Sequence, residues 1–239
     1  MRPLSLPQLL TSLVLLLATG CTSLFGERPV NPADYAYPVR VACVGDSITF
    51  GLGIDDREWL SYPGQLQTML GDDWEVRNFG HSGATLLKQG NLPYWEQQAF
   101  RDALAFDPDV VIIMLGTNDT KPINWRNGDR FVDDCVSLIE SFRALPSSPR
   151  IWLARPVPSF PGNWDIADAV LKYEVIPAID AAAKRTGVPV IDLYAALADH
   201  GDKFFDRVHP DARGSRLIAE KVYETLTGRP ARTAPATVD

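Results

Sequence analysis

The segment VRVACVGDSIT, residues Val39–Thr49, decides the fold. Its first six residues, Val39–Val44, are mostly apolar and β-branched, which predicts a buried strand. Gly45 and the polar residues after it predict that the strand ends in a loop. A second apolar run, Asp109–Leu115, leads in the same way into Gly116–Asp119 (GTND). Because open α/β sheets bind ligands at the carboxyl ends of their strands, we expect both loops to lie at one edge of the sheet.

Strand and helix patterns alternate along the rest of the domain. The predicted strands are Val39–Val44, Trp74–Asn78, Asp109–Leu115, Ile151–Ala154 and Val188–Leu193. The predicted helices are Tyr62–Leu70, Ala99–Phe106, Asp129–Leu145, Ala167–Thr186 with a kink or break at Pro177, and Asp211–Leu226. This alternation predicts an α/β fold, a three-layer flavodoxin-like sandwich. We expect a five-stranded parallel sheet in the order 2-1-3-4-5, with helices on both faces.

The chain of 239 residues divides into four predicted segments. Residues 1–20 combine a weakly positive start, a short apolar run and small residues, and they resemble a lipoprotein signal peptide with Cys21 as the lipidated residue. Residues 21–38 are predicted to form a tether, residues 39–227 a single folded domain, and residues 228–239 a disordered tail. We therefore expect an exported bacterial lipoprotein that faces the periplasm or the cell surface. The alternative is an ordinary secretory signal and a soluble secreted or periplasmic protein.

Composition narrows the classes of partner. The formal net charge is −7, and no block of Lys or Arg stands out, which argues against a nucleic-acid partner and against electrostatic docking on a membrane. Membrane contact is expected only through the lipid anchor. Cys43 and Cys135 are predicted to be small buried apolar residues, although a disulfide between them stays possible. The sequence contains no cluster of His, Cys and carboxylate residues that would suggest a metal site, so we expect no metal. The oligomeric state stays open.

Three short segments carry the side chains needed for ester hydrolysis through an acyl-enzyme. Ser47 follows a predicted strand, where its hydroxyl can act as nucleophile. Asp206 lies three residues before His209, close enough to bond one imidazole nitrogen while the other accepts the serine proton. The side-chain amide of Asn118 and the N–H groups of Gly80 and Ser47 are candidate donors of an oxyanion hole.

Each of these residues also has a purely structural interpretation. Ser47 can cap the helix that follows it, and Asp206 and His209 can be surface residues at the start of the last helix. Asn118 can form an Asx turn, and Gly80 can occupy a turn that requires positive φ.

Four segments together resemble the conserved blocks of the SGNH (GDSL-type) hydrolases, and the resemblance covers nearly all of Val39 to Leu226. The segments are Gly45–Thr49 (GDSIT), Asn78–Gly83 (NFGHSG), Gly116–Asp119 (GTND) and Asp206–His209 (DRVH). The resemblance implies Ser47 as nucleophile, Gly80 and Asn118 as oxyanion donors, His209 as base and Asp206 as its partner, with no cofactor. Ile48 stands where the family name has leucine, and Arg207 stands where a small residue is common.

Several further residues are candidates for supporting or substrate-binding roles. Asp46 flanks the nucleophile, His81 is expected to line the pocket, and Asp119 is expected to bond loop amides. Trp95 and Trp164, like Trp59 and Trp125, lie in predicted loops, where flat aromatic rings either stack on sugars or fill gaps under loops.

The segments Ser82–Leu86 and Pro93–Trp95 resemble bacterial members of the family linked to carbohydrate deacetylation. This implies a serine esterase that hydrolyses short-chain esters, acetyl above all, of carbohydrates, with a small ester or an acetylated glycan as substrate. The alternatives are a lysophospholipase or thioesterase of the same family, a non-catalytic carbohydrate-binding protein on a hydrolase scaffold, and a flavodoxin-like cofactor binder.

Overall fold

The protein, seen in a computed structural model that describes residues 28–162 and 165–231, is built on a parallel sheet. The sheet has five strands in the order β2-β1-β3-β4-β5, all of them paired in parallel. The strands are β1 (Val39–Gly45), β2 (Trp74–Gly80), β3 (Val110–Met114), β4 (Arg150–Arg155) and β5 (Val190–Asp192). The predicted sheet and strand order are confirmed.

Helices connect the strands. They are α1 (Ser47–Phe50), α2 (Arg57–Leu60), α3 (Tyr62–Leu70), α4 (Gln98–Ala105), α5 (Pro122–Trp125), α6 (Phe131–Arg143), α7 (Asp168–Val170), α8 (Ile176–Thr186), α9 (Leu193–Leu197) and α10 (Ala212–Thr227). Short 3₁₀ turns lie at Pro32–Asp34, Tyr94–Glu96, Asn118–Thr120, Gly128–Arg130 and Gly201–Lys203.

The core lies in two layers, one on each face of the sheet. Side chains alternate along β1, so that Val41 and Cys43 join the layer formed with α3 and α10. Ala42 and Val44 join the opposite layer, formed with α4, α6 and α8. The sheet is therefore covered on both faces, and the predicted three-layer sandwich is confirmed.

The predicted helix Ala167–Thr186 is broken near Pro177, as the sequence indicates. A π-helical turn, Leu171–Val175, separates α7 from α8, and Pro177 lies in the first turn of α8. The N–H of Ile176 donates to the carbonyl of Leu171, five residues back. Proline has no N–H to donate, so the chain adopts the wider turn just before it.

All five strands end one or two residues from the predicted position, and the structure gives a reason for two of them. β2 continues to Gly80, since it stays in register with β1 as far as the pair Gly45 and Gly80. β5 ends at Asp192, because the Asp192 side chain accepts the N–H of Ala195 and starts α9. The short helices α1, α2, α5 and α9 were not predicted, since each is shorter than the pattern needed to detect it.

The ends of the described chain pack on the domain. The N–H of Val30 donates to the carbonyl of Leu226 at 2.7 Å, and Val30 is buried, so this part of the predicted tether lies against α10. Gly228, in the left-handed conformation, ends α10. Cys21, the rest of the predicted signal and tether before residue 28, Trp164 and residues 232–239 lie outside the described residues. No helix in the described part of the chain is long and apolar enough to span a membrane.

Cys43 and Cys135 are both buried and free, so the possible disulfide does not form. They lie in opposite core layers, separated by the sheet. Burial raises the pKa of each thiol to about 12. Both cysteines are therefore neutral, apolar core residues, as predicted.

Candidate active site

The predicted nucleophile stands at the junction of β1 and α1. Asp46 caps α1, because its side chain accepts the N–H of Ile48 at 3.0 Å, and Ser47 is the first helical residue. Gly45 is required here, since a Cβ at this position would lie 2.0 Å from Thr49 Oγ1. The N–H of Ser47 has no hydrogen-bond partner within the described residues, as is usual in the first turn of a helix. This turn therefore presents a hydroxyl and a free N–H together.

A chain of hydrogen bonds links Ser47, His209 and Asp206. Ser47 Oγ lies 2.8 Å from His209 Nε2, and His209 Nδ1 lies 2.6 Å from Asp206 Oδ2. Asp206 Oδ1 accepts the N–H groups of Val208 and His209 at 3.0 and 2.7 Å. Burial opposes ionisation of Asp206, but the bonds from the side chain and backbone of His209 outweigh it and lower the pKa of this carboxyl. The ionised carboxylate only accepts, so Nδ1 carries the imidazole proton and Nε2 faces the serine hydroxyl as an acceptor.

The predicted oxyanion donor Asn118 lies in the turn that follows β3. It is 5% exposed, and its Nδ2 donates one hydrogen to the carbonyl of Ala84 at 3.2 Å. The main-chain carbonyl of Asn118 accepts a hydrogen bond from Asn124 Nδ2 at 2.8 Å, which fixes the turn. The second Nδ2 hydrogen of Asn118 is not used by any bond within the described residues.

Gly80, the other residue predicted as a donor, is already paired. Its N–H donates to Asn78 Oδ1 at 2.9 Å, while Asn78 Nδ2 donates to the carbonyl of Thr49 at 2.8 Å. Gly80 also lacks positive φ, so the turn interpretation is wrong. A Cβ at Gly80 would lie 2.2 Å from the backbone nitrogen of Phe50, which explains the glycine by close packing of two main-chain segments.

Gly83 has the properties that were expected of Gly80. Its φ is +83°, and its N–H has no partner within the described part of the chain. It precedes Ala84, whose carbonyl holds Asn118. In the sequence, Gly83 is the second glycine of the segment Asn78–Gly83, and the motif alone does not distinguish it from Gly80.

Two buried carboxyl groups lie behind the site. Burial raises the pKa of Asp46 to about 6. Burial also raises the pKa of Asp119 to about 7, even though Asp119 accepts the N–H groups of Leu86 and Leu87 at 2.9 and 2.8 Å. Asp119 thus ties the turn after β3 to the segment that carries Ala84.

Of the other candidates, His81 is partly exposed beside the site, and its N–H donates to the carbonyl of Gly45 at 3.0 Å. Trp95 packs against the core: its Nε1 donates to the carbonyl of Leu86, Phe100 meets its ring edge, and Lys88 lies 4.2 Å from its centroid. This ring fills space under a loop and is not an open platform for a sugar.

Two more tryptophans of the predicted loops differ in exposure. Trp125 donates to Glu174 and packs on Phe131, whereas Trp59 is 62% exposed. Arg207 is exposed and has a φ of +74°.

The described residues contain no group of three or more His, Cys, Asp or Glu side chains that could hold a metal ion. What the site brings together is a hydroxyl, an imidazole, a carboxylate and unpaired N–H donors. This arrangement is suited to acyl transfer, in which a nucleophile is activated by a base and a developing oxyanion is met by hydrogen bonds.

Comparison with known proteins agrees with this chemistry. A model of the GDSL-like lipase/acylhydrolase family matches residues 43–217. An acetylxylan esterase of Xylanibacter ruminicola is 43% identical over 207 residues, a match that covers 79% of this chain and 43% of that protein. The chain therefore spans less than half the length of this relative.

Solved structures share the fold. A carbohydrate acetylesterase from Sinorhizobium meliloti matches with a TM-score of 0.66 at 20% identity, over 79% of this chain and 98% of the other. An aryl esterase of M. smegmatis matches with a TM-score of 0.62 at 23% identity, over 79% and 100% of the two chains. At such identities the likeness concerns the fold alone.

Proposed function

The chain belongs to the GDSL-like lipase/acylhydrolase family, and we propose that it is a serine esterase that removes small acyl groups, acetyl above all, from carbohydrates. The observation that carries the proposal is the chain of hydrogen bonds from Ser47 through His209 to Asp206, with distances of 2.8 and 2.6 Å. A helix cap or a surface cluster would not require a histidine 162 residues away to reach the serine hydroxyl.

In the first half of the reaction, Ser47 Oγ attacks the ester carbonyl carbon while His209 Nε2 takes the hydroxyl proton. Asp206 holds Nδ1 and stabilises the imidazolium that forms. The carbon–oxygen bond to the sugar then breaks, and the imidazolium returns the proton to the leaving alcohol. In the second half, water attacks the acyl-enzyme with the same base, and the free acid leaves.

The negative charge that develops on the carbonyl oxygen is met by three donors: the N–H of Ser47, the second hydrogen of Asn118 Nδ2, and the N–H of Gly83. Gly83 takes the place predicted for Gly80, because the N–H of Gly80 is bound to Asn78 and that of Gly83 is free within the described chain. One such donor contributes about 3–4 kcal/mol to transition-state stabilisation.

The acetyl-carbohydrate substrate is supported by the acetylxylan esterase, a relative at 43% identity. Hydrolysis of p-nitrophenyl acetate, butyrate and octanoate tests the proposal, beside Ser47→Ala and a matched control, Ser137→Ala, on the exposed side of α6. We expect Ser47-dependent turnover that is fastest with acetate and an unchanged rate in Ser137→Ala.

Each other result points to an alternative. Preference for octanoate would favour a lysophospholipase or thioesterase. Turnover that survives in Ser47→Ala would place the nucleophile elsewhere. Binding of an acetylated glycan without turnover of any ester would favour the carbohydrate-binding protein. Lipidation of Cys21 and export are separate proposals from the sequence, and the mass of the mature N-terminal peptide tests both.

A further inference from the structure

A groove of about 1080 Å³ opens beside the nucleophile helix. One wall is formed by the segment from Ile54 to Gly64, and the other by the free edge of β2 from Val76 to Gly80. Phe50, at the end of α1, lies between the two walls. Phe50 lines the groove and is three residues from Ser47, about one helical turn or roughly 5 Å along α1.

Trp59 is the open aromatic ring of this groove. Its side chain is 62% exposed, whereas most large apolar side chains of the domain are buried. One face of the Phe50 ring is covered by the Arg57 guanidinium, which lies 3.7 Å from the ring centroid. An exposed indole in a groove that also reaches Phe50 on the nucleophile helix is suited to stacking on the apolar face of a sugar ring.

Phe205 lies between the catalytic histidine and the segment that enters the groove. Phe205 is 55% exposed and stacks on His209, with ring centroids 6.0 Å apart and planes 23° apart. The same ring covers Gly53, since a Cβ at Gly53 would lie 2.3 Å from Phe205 Cζ. Ile54, the next residue, lines the groove. Phe205 therefore packs against the base on one side and against the residue that precedes the groove lining on the other.

The charges of the groove favour a neutral, hydroxyl-rich ligand. Its lining includes three carboxylates and two guanidinium groups, so the two signs nearly cancel: Asp55, Asp56, Glu58, Arg57 and Arg77. A groove for an anionic headgroup or for nucleic acid would carry an excess of positive charge. Mixed donors and acceptors around one aromatic ring match the hydroxyl groups and the apolar face of a neutral saccharide.

We propose that this groove binds a segment of the neutral glycan chain that carries the scissile ester, with Trp59 stacked on one of its sugar rings. The inference rests on the proposed function, since it names the part of the substrate that lies beyond the ester. Trp59 is thus a specificity residue for polymeric substrates and has no part in the chemical step.

Kinetics of Trp59→Ala on two substrates test this. On an acetylated xylo-oligosaccharide we expect KM to rise about tenfold with kcat little changed, because a lost ring contact of this size is worth about that factor. On p-nitrophenyl acetate, which has no glycan chain to extend along the groove to Trp59, both constants are expected to stay within about twofold. Trp59→Phe keeps a flat ring and should recover most of the affinity. Tyr37→Ala is the matched control, a 53% exposed aromatic residue just before β1, at the opposite end of the strands.

Binding to the Ser47→Ala protein separates the failure of the groove from the failure of the esterase proposal. In the Ser47→Ala background we expect Trp59→Ala to raise the Kd for the same oligosaccharide about tenfold, and Tyr37→Ala to leave the Kd unchanged. Equal loss of kcat/KM on both substrates, or equal binding with and without Trp59, would overturn the glycan groove even if Ser47-dependent hydrolysis is found. If the wild-type protein hydrolyses no ester, the proposed function fails, and the binding measurement still decides on the groove.

Discussion

Asp206→Asn tests the assignment of the base and its partner. Asp206 Oδ1 accepts two backbone N–H groups, and Oδ2 accepts the proton of His209 Nδ1. An asparagine can keep the two backbone bonds only if its oxygen takes the place of Oδ1. Its amide nitrogen then faces Nδ1, and two donors cannot bond one another.

The imidazole therefore has to change tautomer in this variant. Nδ1 becomes the acceptor, and the proton moves to Nε2, which lies 2.8 Å from Ser47 Oγ and can no longer take the serine proton. In the reverse orientation, the NH₂ group of the asparagine would face two backbone N–H donors. This orientation is unfavourable because both backbone hydrogen bonds would be lost. We expect kcat to fall about 10⁴-fold, which is about 5 kcal/mol at 1.36 kcal/mol for each factor of ten.

The measurement is kcat on p-nitrophenyl acetate together with a thermal melt. Asp206→Asn should keep its Tm close to that of the wild-type protein, because the backbone bonds survive. Asp206→Ala is the contrast: it loses all three acceptor contacts, about 3 kcal/mol in all, and should melt several degrees lower. A kcat for Asp206→Asn within tenfold of the wild-type value, with an unchanged Tm, would refute the role given to this carboxylate.

Three further changes test separate parts of the site. Asn118→Ala should lower kcat by about 10²–10³ with little change in KM, since its free N–H acts in the transition state; equal effects on both would indicate ground-state binding. Arg207→Gly should raise the free energy of unfolding, measured by urea denaturation, by about 1 kcal/mol, because the Arg207 φ of +74° suits glycine. Turnover of p-nitrophenyl acetate should stay unchanged, and a lower urea midpoint would contradict this prediction. Burial raises the pKa of Asp119 from 3.8 to about 7, so the folded state binds this proton more tightly than the unfolded state, and the free energy of unfolding should fall as the pH rises from about 4 to 7. Asp119→Asn should flatten this dependence of the unfolding free energy on pH. An unchanged dependence would exclude Asp119 as its source.

The architecture could be predicted because it follows from local patterns. Short apolar runs that alternate with amphipathic helices leave few solutions other than a parallel sheet with right-handed crossovers, and the order of strands was found as predicted. The scarcity of histidine, three in the chain, narrowed the choice of base in the same way. Neither inference needed knowledge of side-chain contacts.

The choice between Gly80 and Gly83 could not be made in this way. Which N–H is free depends on the orientation of the Asn78 side chain, and that orientation is set by the carbonyl of Thr49 on α1. The role of Trp95 depends likewise on the carbonyl of Leu86, which captures its indole N–H. Motifs identify residue types and spacing, whereas the use of a given donor is decided by contacts between segments distant in sequence.

The position of the base is itself a product of such contacts. The loop from Phe204 to Pro210 is closed by an antiparallel bridge between these residues, and the N–H of Phe205 donates to the carbonyl of His209 at 3.2 Å. Beyond the loop, α10 packs in the same core layer as α3, and Gln65 Nε2 on α3 donates to the carbonyl of Ala212 at 2.8 Å. Packing of α10 on α3 thus holds the loop from Phe204 to Pro210, which carries the base, against the segment that follows the nucleophile. Ser47 Oγ and His209 Nε2 belong to residues 162 positions apart, and they lie 2.8 Å from each other because each residue is fixed to one half of this packed layer. A serine esterase requires such preorganisation, whereas a residue that only caps a helix does not.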